Sequence, residues 1–172
     1  MDTRRYDFEV RVEHRYWQLS GWLSKHGALT PHLLRQLDDW LPPISELLSG
    51  PDSVVAIHGD IKSKHVMISD RDGSPEPVGV IDANASGVGH RLWDLGYIWQ
   101  TICDHDRGLL EVFLLQADLP GRADPDWPKM ALTWALLQSW DNARGIPGIE
   151  GFDTLDELAQ RSFGPVPDVV RG

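Results

Sequence analysis

Apolar positions in the first third of the chain recur three and four residues apart, the spacing of one helix face. Between Glu13 and Lys25 the apolar Tyr16, Trp17, Leu19, Trp22 and Leu23 predict a short helix, with Gly27 just beyond as its stop. Residues 1–12 mix charged and apolar types without a clean period and are expected to form a frayed lead-in. Thr30 and Pro31 then make an N-cap and first-turn pair. Leu33, Leu34, Leu37, Trp40, Leu41, Ile44, Leu47 and Leu48 continue the rhythm as a second helix until Pro42 and Pro43 kink or break it. The GPDS stretch at 50–53 reads as a turn.

The pattern then changes to short runs of β-formers at Val54–Ile57, Val66–Ile68 and Val78–Ile81, which predict three strands. The DRDGSPEP segment between the second and third carries Asp-Gly hairpin chemistry. From Leu92 onward helical spacing returns, first over Leu92, Leu95, Ile98, Trp99 and Ile102, then over 109–115, 130–140 and 154–160. The expected fold is therefore α+β: residues 13–48 as leading helices, 54–82 as a small central sheet or hairpin carrying loops, and 92–172 as a helical subdomain, all in one domain spanning 1–172.

Composition narrows the functional classes. A net charge of −10 argues against a nucleic-acid surface and favours a cationic over an anionic small ligand. No apolar run is long enough for a membrane span and the N-terminus has no signal-peptide core, so a cytoplasmic location without membrane contact is expected. The one cysteine, Cys103, lies in an apolar stretch and reads as a small buried side chain. His14, His26, His32 and His105 have no ligand spacing, and Trp134 and Trp140 sit at helical core positions. Acidic residues from Asp104 to Asp153 read mainly as a solvated face. Asp141, at the end of a predicted helix, is the first choice for a substrate contact.

The chemistry concentrates in HGDIKSKH at 58–65, between two predicted strands, followed by VGVID at 78–82. His65 stands five residues after Asp60, and Asp94-Leu95 stands twelve residues after Asp82. This set resembles the catalytic region of the aminoglycoside phosphotransferase and choline kinase-like family, which has a protein-kinase-like fold. There an H-G-D-x-x-x-x-N loop supplies the base and one metal ligand, and a later I-D pair supplies the second ligand. The resemblance implies Asp60 as catalytic base and His65 and Asp82 as ligands of Mg²⁺ or Mn²⁺, with ATP or GTP as phosphate donor. Lys62 takes the place of a loop lysine that neutralises the moving phosphate, His58 orients the loop, and Asp94 holds it by hydrogen bonds. The chain departs from the family pattern at His65, where asparagine is usual, at Ala83, and at Gly89-His90-Arg91, which replaces Gly-Asp-Pro.

The residue types suit phosphoryl transfer on their own terms. The reaction needs clamped phosphates, an in-line hydroxyl and nearby positive charge. Asp60 after a tight His-Gly step can take the hydroxyl proton, and Asp82 at a strand end presents a hard carboxylate to a divalent ion. No Gly-rich loop or strand lysine precedes the catalytic strand, so the resemblance covers the C-lobe only, with the N-lobe absent. The expected protein is a fragment or one half of a split kinase, completed by a separate N-lobe polypeptide or a homodimer. The acceptor is a small hydroxylated molecule such as an amino sugar, a macrolide or another antibiotic, or an amino alcohol. A non-catalytic kinase-like binding module is the alternative. A further reading takes His58, Asp60 and His105 as an Fe(II) oxygenase site, which requires a jelly roll of about eight strands where only three are visible.

Overall fold

The computed structural model describes residues 3–49, 55–117, 119 and 121–165. The GPDS turn and Val54 lie outside the described residues, as does the side chain of Trp140. The leading helix, α1, spans Thr3–His26, so the expected frayed lead-in is instead part of it. Its buried stripe is Phe8, Val12, Leu19 and Leu23, and Trp17, which the sequence placed on the apolar face, is 75% exposed. Two members of that stripe lie before Glu13, among charged neighbours that hide the period. The helix ends as its glycine suggests: Gly27 has φ +59°, its N–H bonds Ser24 O, and Ala28 N–H bonds Leu23 O.

The predicted second helix is broken earlier than its prolines require, into α2 (Pro31–Leu34), α3 (Leu37–Trp40) and α4 (Ile44–Leu47). Thr30 does cap the first, accepting from Leu33 N–H at 3.3 Å. The break at 35–36 goes with a tertiary demand on Gln36. Its side chain donates to Asp153 O at 2.8 Å and accepts from Leu155 N–H at 3.1 Å, tying the segment to the start of α8 (Leu155–Phe163).

Four short strands form two separate antiparallel pairs. β1 (Val55–Ile57) pairs with β4 (Gly87–Gly89), and β2 (Val66–Arg71) forms a hairpin with β3 (Ser74–Val80). The sequence did not foretell β4, whose Gly-Val-Gly has almost no strand character of its own. Asp72 and Gly73 close the hairpin with φ of 59° and 78°, the two left-handed residues of a tight type I′ turn. The hairpin is largely exposed, with Met67, Ile68, Val78 and Val80 at 45–63%, so the helices do not bury all the strands as the apolar pattern implied.

The core sits around α7 (Trp127–Gln138), in which Ala131 through Gln138 are all buried. A helix apolar on every face belongs at the centre, and α1, α5 (Leu95–Tyr97) and α8 pack around it. The run from Leu92 is not a plain helix: α5 passes into a π-helical turn at Ile98–Ile102 before α6 (Arg107–Gln116). Arg15 of α1 reaches the carbonyls of Leu137 and Gln138 at the C-terminal end of α7, supplying donors that a helix end lacks. At Gly96 a Cβ would meet Asn142 Nδ2 at 2.4 Å and Gln138 Oε1 at 2.8 Å. That absent side chain lets α5 lie directly on α7 and fixes the height at which Asp94 and Tyr97 stand. Cys103 is buried, and burial pushes its thiol above the ordinary value.

Candidate active site

The segment after β1 turns sharply at Gly59, whose φ is +84° and whose missing Cβ would lie 2.2 Å from Ala85 O. Only glycine permits both the left-handed turn and this backbone contact. The loop is tied down by one carboxylate, since Asp94 Oδ2 accepts from His58 N–H at 2.7 Å and Oδ1 from Gly59 N–H at 2.8 Å. Asp94 sits at the start of α5, so the loop that carries Asp60 is referenced to the core helix α7 through Gly96. The His58 ring crosses to the neighbouring loop, with Nε2 donating to Ile81 O at 3.0 Å. It straps the two loops together, while its Nδ1 has no hydrogen-bond partner among the described residues.

Asp60 faces Lys62, with Nζ and Oδ1 2.6 Å apart and both side chains part-exposed. The Lys62 ammonium also lies over the Tyr97 ring, 4.9 Å from its centroid. The hydrogen bond to Asp60 is the main cause that holds the Lys62 proton above the ordinary lysine value, with nearby Tyr97 and Asp82 adding to it. Burial pushes the Tyr97 phenol up as well, so it stays protonated.

His65 is 3% exposed. Its Nδ1 donates to the carbonyl oxygen of Asp60 at 2.8 Å, a tautomer assigned from the hydrogen-bond pattern. Its Nε2 lies 3.4 Å from Asp82 Oδ2, and with the one proton on Nδ1 it offers a lone pair there. Asp82 itself has φ +63°, a left-handed conformation unusual for a residue other than glycine or asparagine. Its other oxygen accepts from Asn84 Nδ2 at 2.9 Å. The strand ladder continues into this region through Ile81 N–H to His65 O at 2.9 Å.

The divalent ion that the resemblance implies fits this donor set. Two acceptors facing each other at 3.4 Å are favourable only with a proton or a cation between them. Imidazole nitrogen and carboxylate together suit Mn²⁺ as well as Mg²⁺. Among the described residues no group of three His, Cys, Asp or Glu side chains converges, so phosphate and water oxygens would complete the shell.

The structure thus brings His58, Asp60, Lys62, His65, Asp82 and Asp94 into one cluster. Asp141 is not among these contacts: its carboxylate pairs with Arg144 at 3.5 Å, and its N–H bonds Ser139 Oγ at 3.2 Å. The iron reading fails on the fold, because the described strands form two short pairs and no jelly roll. His105 is occupied elsewhere, with Nε2 3.2 Å from Asn142 O and its ring edge-on to Trp99. Sequence reasoning missed Tyr97 and Asn84. Both stand close to a residue it named, Tyr97 one turn after Asp94 on the same side of the chain and Asn84 two after Asp82.

No helix among the described residues is long and apolar enough to cross a membrane. The sequence model of the phosphotransferase enzyme family (APH) matches residues 2–133, from the start of α1 into α7 and across every member of the cluster. That match covers well over half the chain, which has the α+β architecture of the kinase-like fold and belongs to the phosphotransferase enzyme family.

Proposed function

We propose that this chain is the catalytic lobe of a small-molecule kinase that moves the γ-phosphoryl group of ATP or GTP to a hydroxyl. The observation that supports it best is the joining of two loops, one bearing Asp60 and His65 and the other Asp82, through Gly59, His58 and the main chain. In the reaction a bond forms between the acceptor oxygen and the γ-phosphorus while the bond from that phosphorus to the β,γ-bridging oxygen breaks. Asp60 accepts the hydroxyl proton late in transfer. Lys62, resting on Asp60 and Tyr97, is placed to swing its ammonium onto the moving phosphoryl oxygens, which frees Asp60 for the acceptor. A divalent ion, Mg²⁺ or Mn²⁺, held by His65 and Asp82 would neutralise phosphate charge. His58 and Asp94 keep the loop rigid so that Asp60 meets the hydroxyl in one geometry.

The described residues before β1 are helical and carry no phosphate-covering loop or strand lysine. In this reading those groups come from an N-lobe outside these residues, on another segment, a separate polypeptide or a second copy. A cytoplasmic location, where the nucleotide is, goes with it. The test is transfer of labelled γ-phosphate to a panel of hydroxylated small molecules, with the chain alone and with candidate N-lobe segments. Transfer is expected only in the completed protein, at roughly 1–100 s⁻¹, and Asp60→Asn should lower it by about 10²- to 10⁴-fold without unfolding the chain. Activity that survives Asp60→Asn within a few-fold would remove the assignment, and robust transfer by the chain alone would remove the need for an N-lobe.

A further inference from the structure

A cavity of about 290 Å³ shares Tyr97 with this site and is lined besides by Arg15, Trp22, Lys25 and His26 of α1 and by the end of α7 with Ser139. One face of the site is shared. Tyr97 carries the Lys62 ammonium at 4.9 Å, and Lys62 in turn touches Asp60 at 2.6 Å. Tyr97 therefore links the cavity to the Lys62–Asp60 pair through one residue. The cavity's volume lies just below the range of drug-sized ligand sites, which starts at about 300 Å³, so only a small molecule fits.

The charge of this cavity runs against that of the protein. The chain has 26 acidic and 16 basic residues, yet among the described residues no carboxylate lines the cavity, whereas a guanidinium, an ammonium and an imidazole do. Asp141, whose N–H binds the wall residue Ser139, turns its carboxylate to Arg144. The opposing effect is that α1 and α7 both end here, and a helix C-terminus carries about half a negative charge. Two such ends amount to roughly one negative charge, which Arg15 alone offsets while bonding the α7 carbonyls. Lys25 then leaves the cavity positive. Trp22 and Tyr97 supply flat apolar walls.

We propose that this cavity is the acceptor subsite and that the acceptor is an anionic hydroxylated molecule, bearing a carboxylate or phosphate together with an apolar or aromatic part. The inference rests on the kinase reading for the identity of the site, and it names the substrate class. The anion sits between Arg15 and Lys25, the apolar part lies against Trp22, and the hydroxyl passes the edge of Tyr97 toward Asp60. The local charge argues against a cationic amino sugar or amino alcohol, which the net charge alone would favour.

The test uses the full chain without nucleotide and three probes matched in shape: mandelate, mandelamide and 2-amino-1-phenylethanol, which carry negative, zero and positive charge on one hydroxylated aromatic frame. Phenyl phosphate is a further arm that separates a phosphate site from a carboxylate site. Calorimetric titration should show one anion, mandelate or phenyl phosphate, binding about tenfold or more tightly than the neutral and cationic probes, less tightly in high salt. Arg15→Gln removes a tie between two helices and can unfold the chain, so Lys25→Glu, an exposed position, is the primary variant. It should weaken the anion at least about fivefold and leave mandelamide unchanged. Equal affinity for all three charges, preference for the amine, or anion binding unmoved by Lys25→Glu would overturn the proposal. Because these titrations hold no nucleotide, their failure is separate from failure of phosphoryl transfer. Transfer to amines with no anion preference keeps the kinase and removes this subsite, whereas anion binding that mandelate-like acceptors never convert into transfer removes its role as acceptor site.

Discussion

Replacing Asp94 by asparagine changes one atom of a side chain that accepts hydrogen bonds from two consecutive backbone N–H groups, at 2.7 and 2.8 Å. An asparagine of the same shape keeps one carbonyl oxygen and turns its NH₂ toward the other donor. Hydrogen bonds to a charged group contribute about 1.5–3 kcal/mol each, a neutral replacement about 1. One bond is thus weakened by roughly 1 kcal/mol, and the other is lost with an N–H left facing a donor, so the expected cost is about 2–4 kcal/mol. In urea, with a slope of about 2 kcal/mol per molar, the midpoint should fall by roughly 1–2 M. The assay is urea unfolding of Asp94→Asn and Asp94→Ala, with hydrogen exchange at the His58 and Gly59 amides to separate local from global loss. Both amides should exchange faster than the change in global stability alone accounts for, and transfer in the completed protein should fall even where the chain is fully folded. A midpoint shift below about 0.3 M with unchanged amide protection would refute the claim that this carboxylate holds the loop.

Three further outcomes are expected. With nucleotide present, Asp82→Ala should weaken Mn²⁺ binding by an order of magnitude or more, while His65→Asn should shift preference from Mn²⁺ toward Mg²⁺; manganese titration followed by electron paramagnetic resonance reads both. Gly59→Ala should cost at least about 2–3 kcal/mol in thermal or urea unfolding, since the new methyl carbon meets a carbonyl oxygen and the backbone is held at positive φ. The Lys62–Asp60 pair should persist beyond the ordinary lysine value of 10.5. Because the folded value is raised, the stability it adds is fully present below that pH and is lost as pH rises through the folded value. Alkaline unfolding of wild type and Lys62→Met should therefore converge at the highest pH, and a gap that widens there would contradict the pairing.

The helical and strand-rich thirds of the fold, and the Asp-Gly hairpin, were readable because each rests on local chemistry: apolar spacing, a Thr-Pro start, a turn pair that prefers positive φ. What the sequence hid was set by distant parts of the chain. The break at Gln36 answers to Asp153 and Leu155, and β4 exists because Gly87–Gly89 lies beside β1, where its own residues would not specify a strand. The first turns of α1 were obscured because, among the described side chains there, only Phe8 and Val12 are buried. At the site, the spacing of Asp60, His65, Asp82 and Asp94 was legible as a motif, and the structure brings those four together. Tyr97 was not, since its importance comes from what it touches, Lys62 and a cavity, and neither contact leaves a trace in nearby sequence.

The close approach of Gly59 to Ala85 bears on how freely this site can vary. Main-chain contacts, Gly59 against Ala85 O and Ile81 N–H on His65 O, hold the two loops together apart from the His65 ring, which adds its own bond to Asp60 O. Ligand identity and loop spacing are thereby separate properties. On the kinase reading, an exchange between histidine and asparagine at position 65 would change the metal preference while Asp60 stays where the backbone has put it.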